Sequence, residues 1–355
     1  MNVGTARAAA EAWIGRHVAD EDWFVGAYYS GSTAGLPDDA PVPIGSDVDV
    51  MVVTSEDEPP LKPGKLVFEG ALLEITLLPW RSLRSPEAVL SDYHLAAGLR
   101  SDTIFADPSG RLRVLQREVA RRFAEPVWVR KRCEQARQRA ETGLASLNRN
   151  ASRAELVMGW LFPTGITAHV VLVAARRNPT VRLRYDAARQ VLAAFGREDV
   201  YAEMLRLLGC ASWTPELTSR HLDELAVTFD AAAAAAKTPA FFLSDIAAAA
   251  RPIAIDGARE LIRTGRHREA VFWMGVTFAR CHRVFENDAP ELDRSRGAAF
   301  DAFLRDLGVD SVEALLRRAE EARRYIPTVW SVAERIMSAE AGERSESPQA
   351  GEGGA

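Results

Sequence analysis

The stretches YYSGSTAG, residues 28–35, and IGSDVDVMVVT, residues 44–54, decide the fold of this chain. The second is rich in β-branched and apolar residues, which is typical of a buried strand, yet it carries Asp47 and Asp49. A carboxylate in a buried strand costs free energy unless a cation or hydrogen bonds compensate it. Side chains alternate between the two faces of a strand, so both aspartates are expected to project from the same face.

A third carboxylate lies in an equally apolar context. Glu74 is the one charged residue of ALLEITLL, residues 71–78, and such an isolated glutamate indicates a cation partner or a functional site. If this strand lies beside the 47–54 strand, three carboxylates converge, and oxygen ligands of this kind suit Mg²⁺. The alternative is a buried glutamate paired with an arginine. Glu69 is a competing third carboxylate, but its position next to Gly70 predicts a hairpin turn.

The Gly–Ser turn, residues 31–32, precedes the two aspartates. Gly31 lets the backbone approach a ligand closely. The backbone N–H groups of Gly31 and Ser32, with the hydroxyls of Ser30 and Ser32, are expected to cradle phosphate oxygens. A phosphate cradle beside metal-binding carboxylates is the equipment for transfer of a nucleotidyl group.

The pattern changes along the chain from strands to helices. We expect an α+β fold, in which a small domain with a mixed sheet, residues 1–115, precedes a larger all-helical domain, residues 116–340. The polar tail, residues 341–355, is rich in Gly and Ser and is predicted to be disordered. Predicted strands lie at 22–29 and 47–54, within 65–80 as two strands joined at Glu69–Gly70, and within 102–112. Predicted helices lie at 5–18, 86–100, 114–124, 127–147, 151–162, 166–177, 184–195, 198–208, 215–237, 257–264, 267–286, 296–307, 311–323 and 327–340.

Composition narrows the environment of the protein. The 355 residues carry a formal net charge of -5, so no basic field favours nucleic acid or acidic membranes. Three cysteines, far apart in the sequence, predict reduced thiols in a cytoplasmic protein, without zinc or disulfides. The N-terminus has no apolar core of signal-peptide length, and the longest apolar runs are too short to span a bilayer. The chain has only four lysines, Lys62, Lys65, Lys131 and Lys237.

The order of these motifs resembles that of a known superfamily. A Gly–Ser turn at 31–32, an Asp–x–Asp at 47–49 and a later strand carboxylate, Glu74, resemble the nucleotidyltransferases that include DNA polymerase beta. The short α/β domain followed by a helical one is most similar to antibiotic nucleotidyltransferases of the kanamycin and streptomycin type. The stretch IFADPSGRL, residues 104–112, also resembles a strand and turn in that group. The motifs cover about the first 115 residues.

The resemblance implies a role for each of these residues. Asp47 and Asp49 would hold Mg²⁺ at the triphosphate of a nucleotide, and Ser32 and Ser30 would bind its β- and γ-phosphates. Glu74 would complete the metal site or take a proton from an acceptor hydroxyl. The implied enzyme is a nucleotidyltransferase that moves a nucleoside monophosphate, AMP from ATP first, to a hydroxyl of a small molecule and releases pyrophosphate. An aminoglycoside-like or other natural product is the expected acceptor, and a homodimer is expected.

Two other functions stay open at this stage. One is a toxin-like nucleotidyltransferase that modifies a protein or tRNA, although the chain lacks the basic stripe with interleaved aromatic residues that RNA binding favours. The other is a catalytically silent nucleotide-binding protein, which three intact carboxylates disfavour. Net acidity fits a cationic acceptor.

Three features of the helical part have two interpretations each. The stretch RRNPTVRLRYDAARQ, residues 176–190, either contacts a triphosphate or an anionic acceptor, or forms a solvated basic segment, which the usual behaviour of charge runs favours. His267 is a site residue or, as we expect, a helix-start or surface residue. Three tryptophans are predicted to lie in the core, with sugar stacking as the alternative; these are Trp160, Trp273 and Trp330.

Overall fold

The structure, a computed structural model, describes residues 1–346 and the side-chain surroundings of residues 1–341. It confirms the α+β class, because a mixed sheet of five strands is combined with many helices in this part of the chain. The strands are β1 Phe24–Ser30, β2 Val48–Thr54, β3 Gly64–Phe68, β4 Ala71–Pro79 and β5 Ile104–Ala106. The helices are α1 Val3–His17, α2 Pro86–Ser91, α3 Tyr93–Gly98, α4 Arg111–Arg122, α5 Pro126–Ala145, α6 Arg153–Ala174, α7 Arg184–Ala194, α8 Glu198–Leu208, α9 Pro215–Ala235, α10 Gly257–Arg263, α11 His267–Asp288, α12 Pro290–Asp306 and α13 Val312–Glu346.

The order of strands across the sheet is β3-β4-β2-β1-β5. The central pair, β2 and β4, is parallel, and the other neighbours are antiparallel. In this register Asp49 on β2 lies beside Ser30 on β1 and Glu74 on β4, and Glu74 lies beside Lys65 on β3. Laterally paired residues project from the same face of a sheet, so these four side chains form one row.

The two faces of the sheet bury different cores, as the alternation in the sequence predicts. On one face Val48, Val50 and Val52 are buried in a cluster with residues of α1, including Ala10 and Ile14. On the other face Tyr28, Val53 and Leu78 pack with residues of α2 and α4. The row of Ser30, Asp49, Glu74 and Lys65 lies on this second face, at one end of the sheet. Helices from the later part of the chain cover that end of the sheet.

Two helices, α6 and α13, continue through an internal proline. Pro163 lies within α6 and Pro327 within α13, so the predictions of two helices in each region are wrong. At the first site Gly143 of α5 supplies the space for the ring, because a Cβ there would lie 2.5 Å from Pro163 Cγ. The single helix predicted at 86–100 is in fact two, because the Asp92 side chain accepts hydrogen bonds from His94 N and Leu95 N and caps α3.

Other boundaries differ less. The helix predicted at 215–237 begins at a cap, because the Thr214 side chain accepts a hydrogen bond from Leu217 N at the start of α9. Helix α13 continues to Glu346, into the segment predicted as a disordered tail, and residues 347–355 lie outside the described residues. The division of the chain into domains at residue 115 stays a prediction.

Helix α6 is the centre of the helical core. The sequence predicted no apolar run long enough to span a bilayer, but within residues 1–346 this one helix is long and apolar enough by length and composition. However, 72% of its most apolar window is buried inside the protein, where it contacts α5, α11 and α13. Its apolar composition is therefore accounted for by packing against other helices.

Two glycines bring the loop before β2 against the helical part. Gly45 has a φ of +72°, and a Cβ there would lie 2.6 Å from the Cα of Gly257, at the start of α10. The two nearest atoms, the Cα and N of Gly257, both belong to the backbone, so neither can move aside cheaply. This close approach places the loop that leads into Asp47 against the helices.

We therefore expect Gly45→Ala to lower the free energy of unfolding more than Gly110→Ala. Both glycines have φ near +71°, with values of +72° and +71°, so both substitutions carry the same backbone cost. No described atom lies within 4 Å of a Cβ built on Gly110, whereas Gly45 also meets the backbone clash. The excess loss, of roughly 1–3 kcal/mol, is measured by urea denaturation. Equal losses in the two variants would show that the close approach is not rigid.

Candidate active site

The sheet register brings together the three carboxylates that the sequence singled out. Asp47 immediately precedes β2, Asp49 is its second residue, and Glu74 is the Cα partner of Asp49 on β4. One oxygen from each lies within 4.8 Å of the others. The predicted convergence of this carboxylate cluster, Asp47, Asp49 and Glu74, is therefore confirmed. The prediction that Glu69 belongs to the hairpin turn is also confirmed.

The Gly–Ser turn lies directly against the cluster. Gly31 follows β1 with a φ of +70°, and a Cβ there would lie 1.7 Å from the Asp49 Oδ2 atom. Only glycine permits this approach. The turn is held on both sides, because Thr33 Oγ1 donates to the Asp47 carbonyl at 3.1 Å and Asn178 Nδ2 donates to the Gly31 carbonyl at 3.0 Å.

A cavity of about 490 Å³ opens between the sheet and the later helices. Its volume is within the usual range for small-molecule sites, about 300–1,000 Å³. All six predicted site residues line it: Ser30, Gly31, Ser32, Asp47, Asp49 and Glu74. The opposite side, which we call the helical wall, includes Asn178, Arg182, Asp245, Trp273 and Arg280.

Two lysines neutralise the carboxylate cluster, and the sequence reasoning missed both. Lys62 and Lys65 form ion pairs with Glu74. The Lys65 ammonium, on a side chain only 6% exposed, also lies 3.1 Å from Asp47 Oδ2 and 3.1 Å from Asp245 Oδ1. Glu74 is thus paired with lysines and not with the arginine of the alternative interpretation. A signal was present, because two of the four lysines in the chain lie between the Asp pair and Glu74.

The pKa values within the cluster diverge. Burial raises the pKa of Asp49 well above its usual range, and the charges of Asp47 and Glu74 add to this effect. Burial also raises the pKa of Asp47, although Lys65 opposes it. Burial acts in the same direction on Glu74, but Lys65 and Lys62 outweigh it and lower its pKa to about 2. Glu74 is therefore ionised at neutral pH, Asp47 shares Lys65 with Glu74 and Asp245, and Asp49 has no ion pair among the described residues.

The donor atoms of the cluster fit Mg²⁺. Among the described side chains, Asp47 Oδ2 is buried without a hydrogen-bond partner, since Lys65 Nζ is near enough for an ion pair but is not aligned for a hydrogen bond. Asp49 contributes a carboxylate whose ionised form is disfavoured until a cation compensates it. Three hard oxygen ligands at this spacing could hold a divalent cation next to phosphates on the Gly–Ser turn.

The segment 178–183 is fixed over the cavity by side chains that bind its backbone carbonyls. His169 Nε2 donates to Thr180 O at 3.0 Å, and Arg184 Nε donates to Val181 O at 2.7 Å. Arg184 itself is 2% exposed, and its guanidinium lies 4.2 Å from the ring centroid of Phe272. The segment that carries Arg182 is therefore held from inside the helical core.

The expectation of a solvated basic segment at 176–190 is wrong for two of its arginines. Arg184 is buried, and Arg182 lines the cavity, where burial lowers its pKa although Asp47 opposes that effect. Arg176 forms an ion pair with Glu340, and Arg189 pairs with Asp186 at 2.9 Å. Helical spacing alone did not show which arginines face inward.

The remaining candidates divide between core and cavity. His267 begins α11 and its Nε2 donates to Trp213 O at 2.8 Å, so it does not line the cavity and the expectation of a helix-start residue is confirmed. Trp160 is fully buried, as predicted. Trp273, 9% exposed, packs in the core as predicted and also lines the cavity, so sugar stacking stays a prediction for this residue.

Comparisons with protein-family models, curated proteins and solved structures give no match to this chain. A function can therefore be inferred only from the cavity and the residues that line it. The main feature of that cavity is the row of Ser30, Asp49, Glu74 and Lys65 across β1, β2, β4 and β3.

The first prediction from this geometry concerns Lys65. In Lys65→Met, Asp47, Glu74 and Asp245 lose the ammonium that lies among them, so the free energy of unfolding in EDTA should fall by roughly 3–5 kcal/mol. Lys237→Met, at an exposed position, is the matched control and should change little. Urea denaturation measures both, and similar losses in the two variants would contradict the role of Lys65.

The second prediction concerns His169, which is 1% exposed. Burial lowers its pKa well below the usual range, and the charge of Arg184 adds to this. The unfolded chain therefore binds a proton that the folded chain does not. Its contribution to stability is complete above about pH 6.5 and is lost as the pH falls, by up to about 1.4 kcal/mol per unit.

His169→Gln keeps a donor for Thr180 O but does not titrate. The free energy of unfolding, measured from pH 7 to pH 5, should fall less steeply in this variant than in the wild type. His17→Gln, at an exposed position on α1, should keep the wild-type slope. A slope unchanged by His169→Gln would assign the acid sensitivity to other groups.

Proposed function

We propose that the protein is a Mg²⁺-dependent nucleotidyltransferase that transfers a nucleoside monophosphate from a nucleoside triphosphate, ATP first, to a hydroxyl of a small molecule. The observation that carries this proposal is the lateral pairing of Asp49 with Ser30 and with Glu74. That pairing puts the carboxylate cluster against a glycine turn, and both line a cavity of small-molecule size. We also propose that the fold is that of a nucleotidyltransferase, in which the helical part covers a sheet domain.

The triphosphate would bind at the Gly–Ser turn. The hydroxyls of Ser30 and Ser32 and the backbone N–H groups of the turn are donors for phosphate oxygens. Among the described residues Arg182 has no hydrogen bond or ion pair of its own, and it lines the same cavity. A half-buried guanidinium without an ion pair of its own among the described residues is a favourable partner for a triphosphate.

Asp47 and Asp49 would hold the metal ion, with Glu74 completing the site. Bound Mg²⁺ neutralises phosphate charge and makes the α-phosphoryl group more electrophilic. The protein holds the acceptor hydroxyl in line with the bond to the leaving group. A bond forms between the acceptor oxygen and the α-phosphorus, and the hydroxyl proton is released to solvent water. The bond from the α-phosphorus to the bridging oxygen breaks, and pyrophosphate leaves. With its pKa near 2, Glu74 is better matched to binding a cation than to accepting the proton of the hydroxyl.

A small acceptor fits the cavity better than a macromolecule. The segment 178–183 and the side chains of Asp245 and Arg280 cover the side of the cavity that faces the carboxylate cluster. A protein or tRNA acceptor would need this side to be open. A cytoplasmic location and a homodimer stay predictions.

The test uses the protein, Mg²⁺ and each nucleoside triphosphate with a panel of hydroxyl compounds, followed by mass spectrometry. We expect a product heavier by one nucleoside monophosphate, and pyrophosphate in equal amount. Asp49→Ala should lower the rate at least about 10³-fold with the helical circular dichroism spectrum unchanged, whereas Asp39→Ala, an exposed carboxylate, should leave it unchanged. Turnover of Asp49→Ala near the wild-type rate would place the site elsewhere.

A further inference from the structure

The helical wall has an unusual charge distribution for a site that would accept a polycation. Among the described residues that line the cavity beyond residue 110, Asp245 is the one carboxylate. Both of its oxygens already have cations, because Oδ1 lies 3.1 Å from Lys65 Nζ and Oδ2 accepts a hydrogen bond from Arg280 Nη1 at 2.8 Å. No carboxylate of this wall is thus free to bind an amine.

Arg280 has unused donors. Its side chain is only 7% exposed, and the bond to Asp245 is its one hydrogen bond in the described part of the chain. Its Nε is buried without a partner. The guanidinium lies 5.2 Å from the ring centroid of Trp273 and 5.7 Å from that of Phe242, so water is largely replaced by aromatic rings. Low local polarity strengthens its attraction for an anion.

The two cavity arginines belong to different ends of the site. Arg182 lies against the loop that leads into Asp47, because a Cβ built on Gly257 would lie 2.9 Å from Arg182 Nη1 and 3.2 Å from the Cα of Gly45. This is the side of the Gly–Ser turn, which is the donor end. Arg280 instead binds Asp245, whose other oxygen lies 3.1 Å from the Lys65 ammonium. Lys65 pairs with Glu74 on β4, which lies across β2 from the strand that carries the turn. A triphosphate on the turn would engage Arg182 and leave Arg280 for the other substrate.

We infer that the acceptor is a hydroxyl compound that carries a carboxylate or phosphate group, and that Arg280 binds this anionic group. The inference rests on the proposed function and narrows its acceptor class. Trp273 offers an apolar ring surface beside Arg280, which suits the CH face of a sugar ring. The net acidity of the chain favoured a cationic acceptor, but the local charges of the helical wall favour an anionic one. Polycationic aminoglycosides are therefore poor acceptors.

The experiment compares four acceptors that share a glucopyranose ring with one polycationic aminoglycoside. Glucose, glucuronate, glucose 6-phosphate, glucosamine and kanamycin are titrated by calorimetry into protein saturated with Mg²⁺ and α,β-methylene ATP, and transfer from ATP is followed by mass spectrometry. Glucuronate or glucose 6-phosphate should bind about tenfold or more tightly than glucose. The carboxylate and phosphate arms identify which anion the site prefers. Glucosamine and kanamycin should bind more weakly than glucose.

Two variants of Arg280 test whether this residue causes the preference for an anionic sugar. In Arg280→Gln the affinities for the anionic and the neutral sugar should agree within about twofold, whereas Arg280→Lys, which keeps a cation, should retain part of the preference. Arg294→Gln, at an exposed position on α12, should behave as the wild type. If Arg280→Gln does not fold, the Lys variant and the five-sugar comparison decide the question.

Failure of this inference can be told apart from failure of the proposed function. Binding of ATP with Mg²⁺ is measured first, without acceptor. If no nucleoside triphosphate binds, the proposed function fails, and the inference fails with it. If ATP binds but kanamycin is preferred, or all five sugars bind equally, only the inference is overturned.

Discussion

The whole candidate site depends on the register of β2 between β1 and β4. Because side chains alternate along a strand, a slip of one residue would turn Asp49 into the apolar core against α1 and expose Val48 and Val50. The packing of these valines therefore holds the carboxylate cluster in place, although none of them contacts it through a polar atom. The same register aligns Ser30 and Glu74 with Asp49, so the phosphate turn and the metal ligands share one structural cause.

The sheet also supplies the counter-charges for this row. Lys65 is the Cα partner of Glu74 on β3, so a cation stands next to the anions by the same strand pairing. Its ammonium reaches beyond the sheet to Asp245, which in turn binds Arg280 of α11. A series of ion pairs with alternating charges thus connects the strands with the helical part. Buried charges of this kind contribute geometry more than net stability, because desolvation offsets much of the attraction.

The sequence predicted what depends on local patterns. Alternation within ALLEITLL indicated the face on which Glu74 lies. The Gly–Ser turn and the Asp–x–Asp pair indicated the other residues that the sheet contributes to the cavity. Pattern could not place Asp245 or Arg280 in the cavity, because their contacts with the sheet join residues far apart in the chain, and helical spacing carries no information on such neighbours. The break predicted between the helices at 151–162 and 166–177 was wrong for a similar reason, since Gly143 on another helix makes room for the ring of Pro163.

The hydrogen bond from Asn178 to the Gly31 carbonyl has a consequence for the orientation of the Gly–Ser turn. A trans peptide unit is planar, and its C=O and N–H groups point in opposite directions. By holding the Gly31 oxygen, Asn178 therefore sets the direction in which the Ser32 N–H can donate. Control over one donor at the phosphate end thus belongs to an amide side chain 147 residues further along the chain.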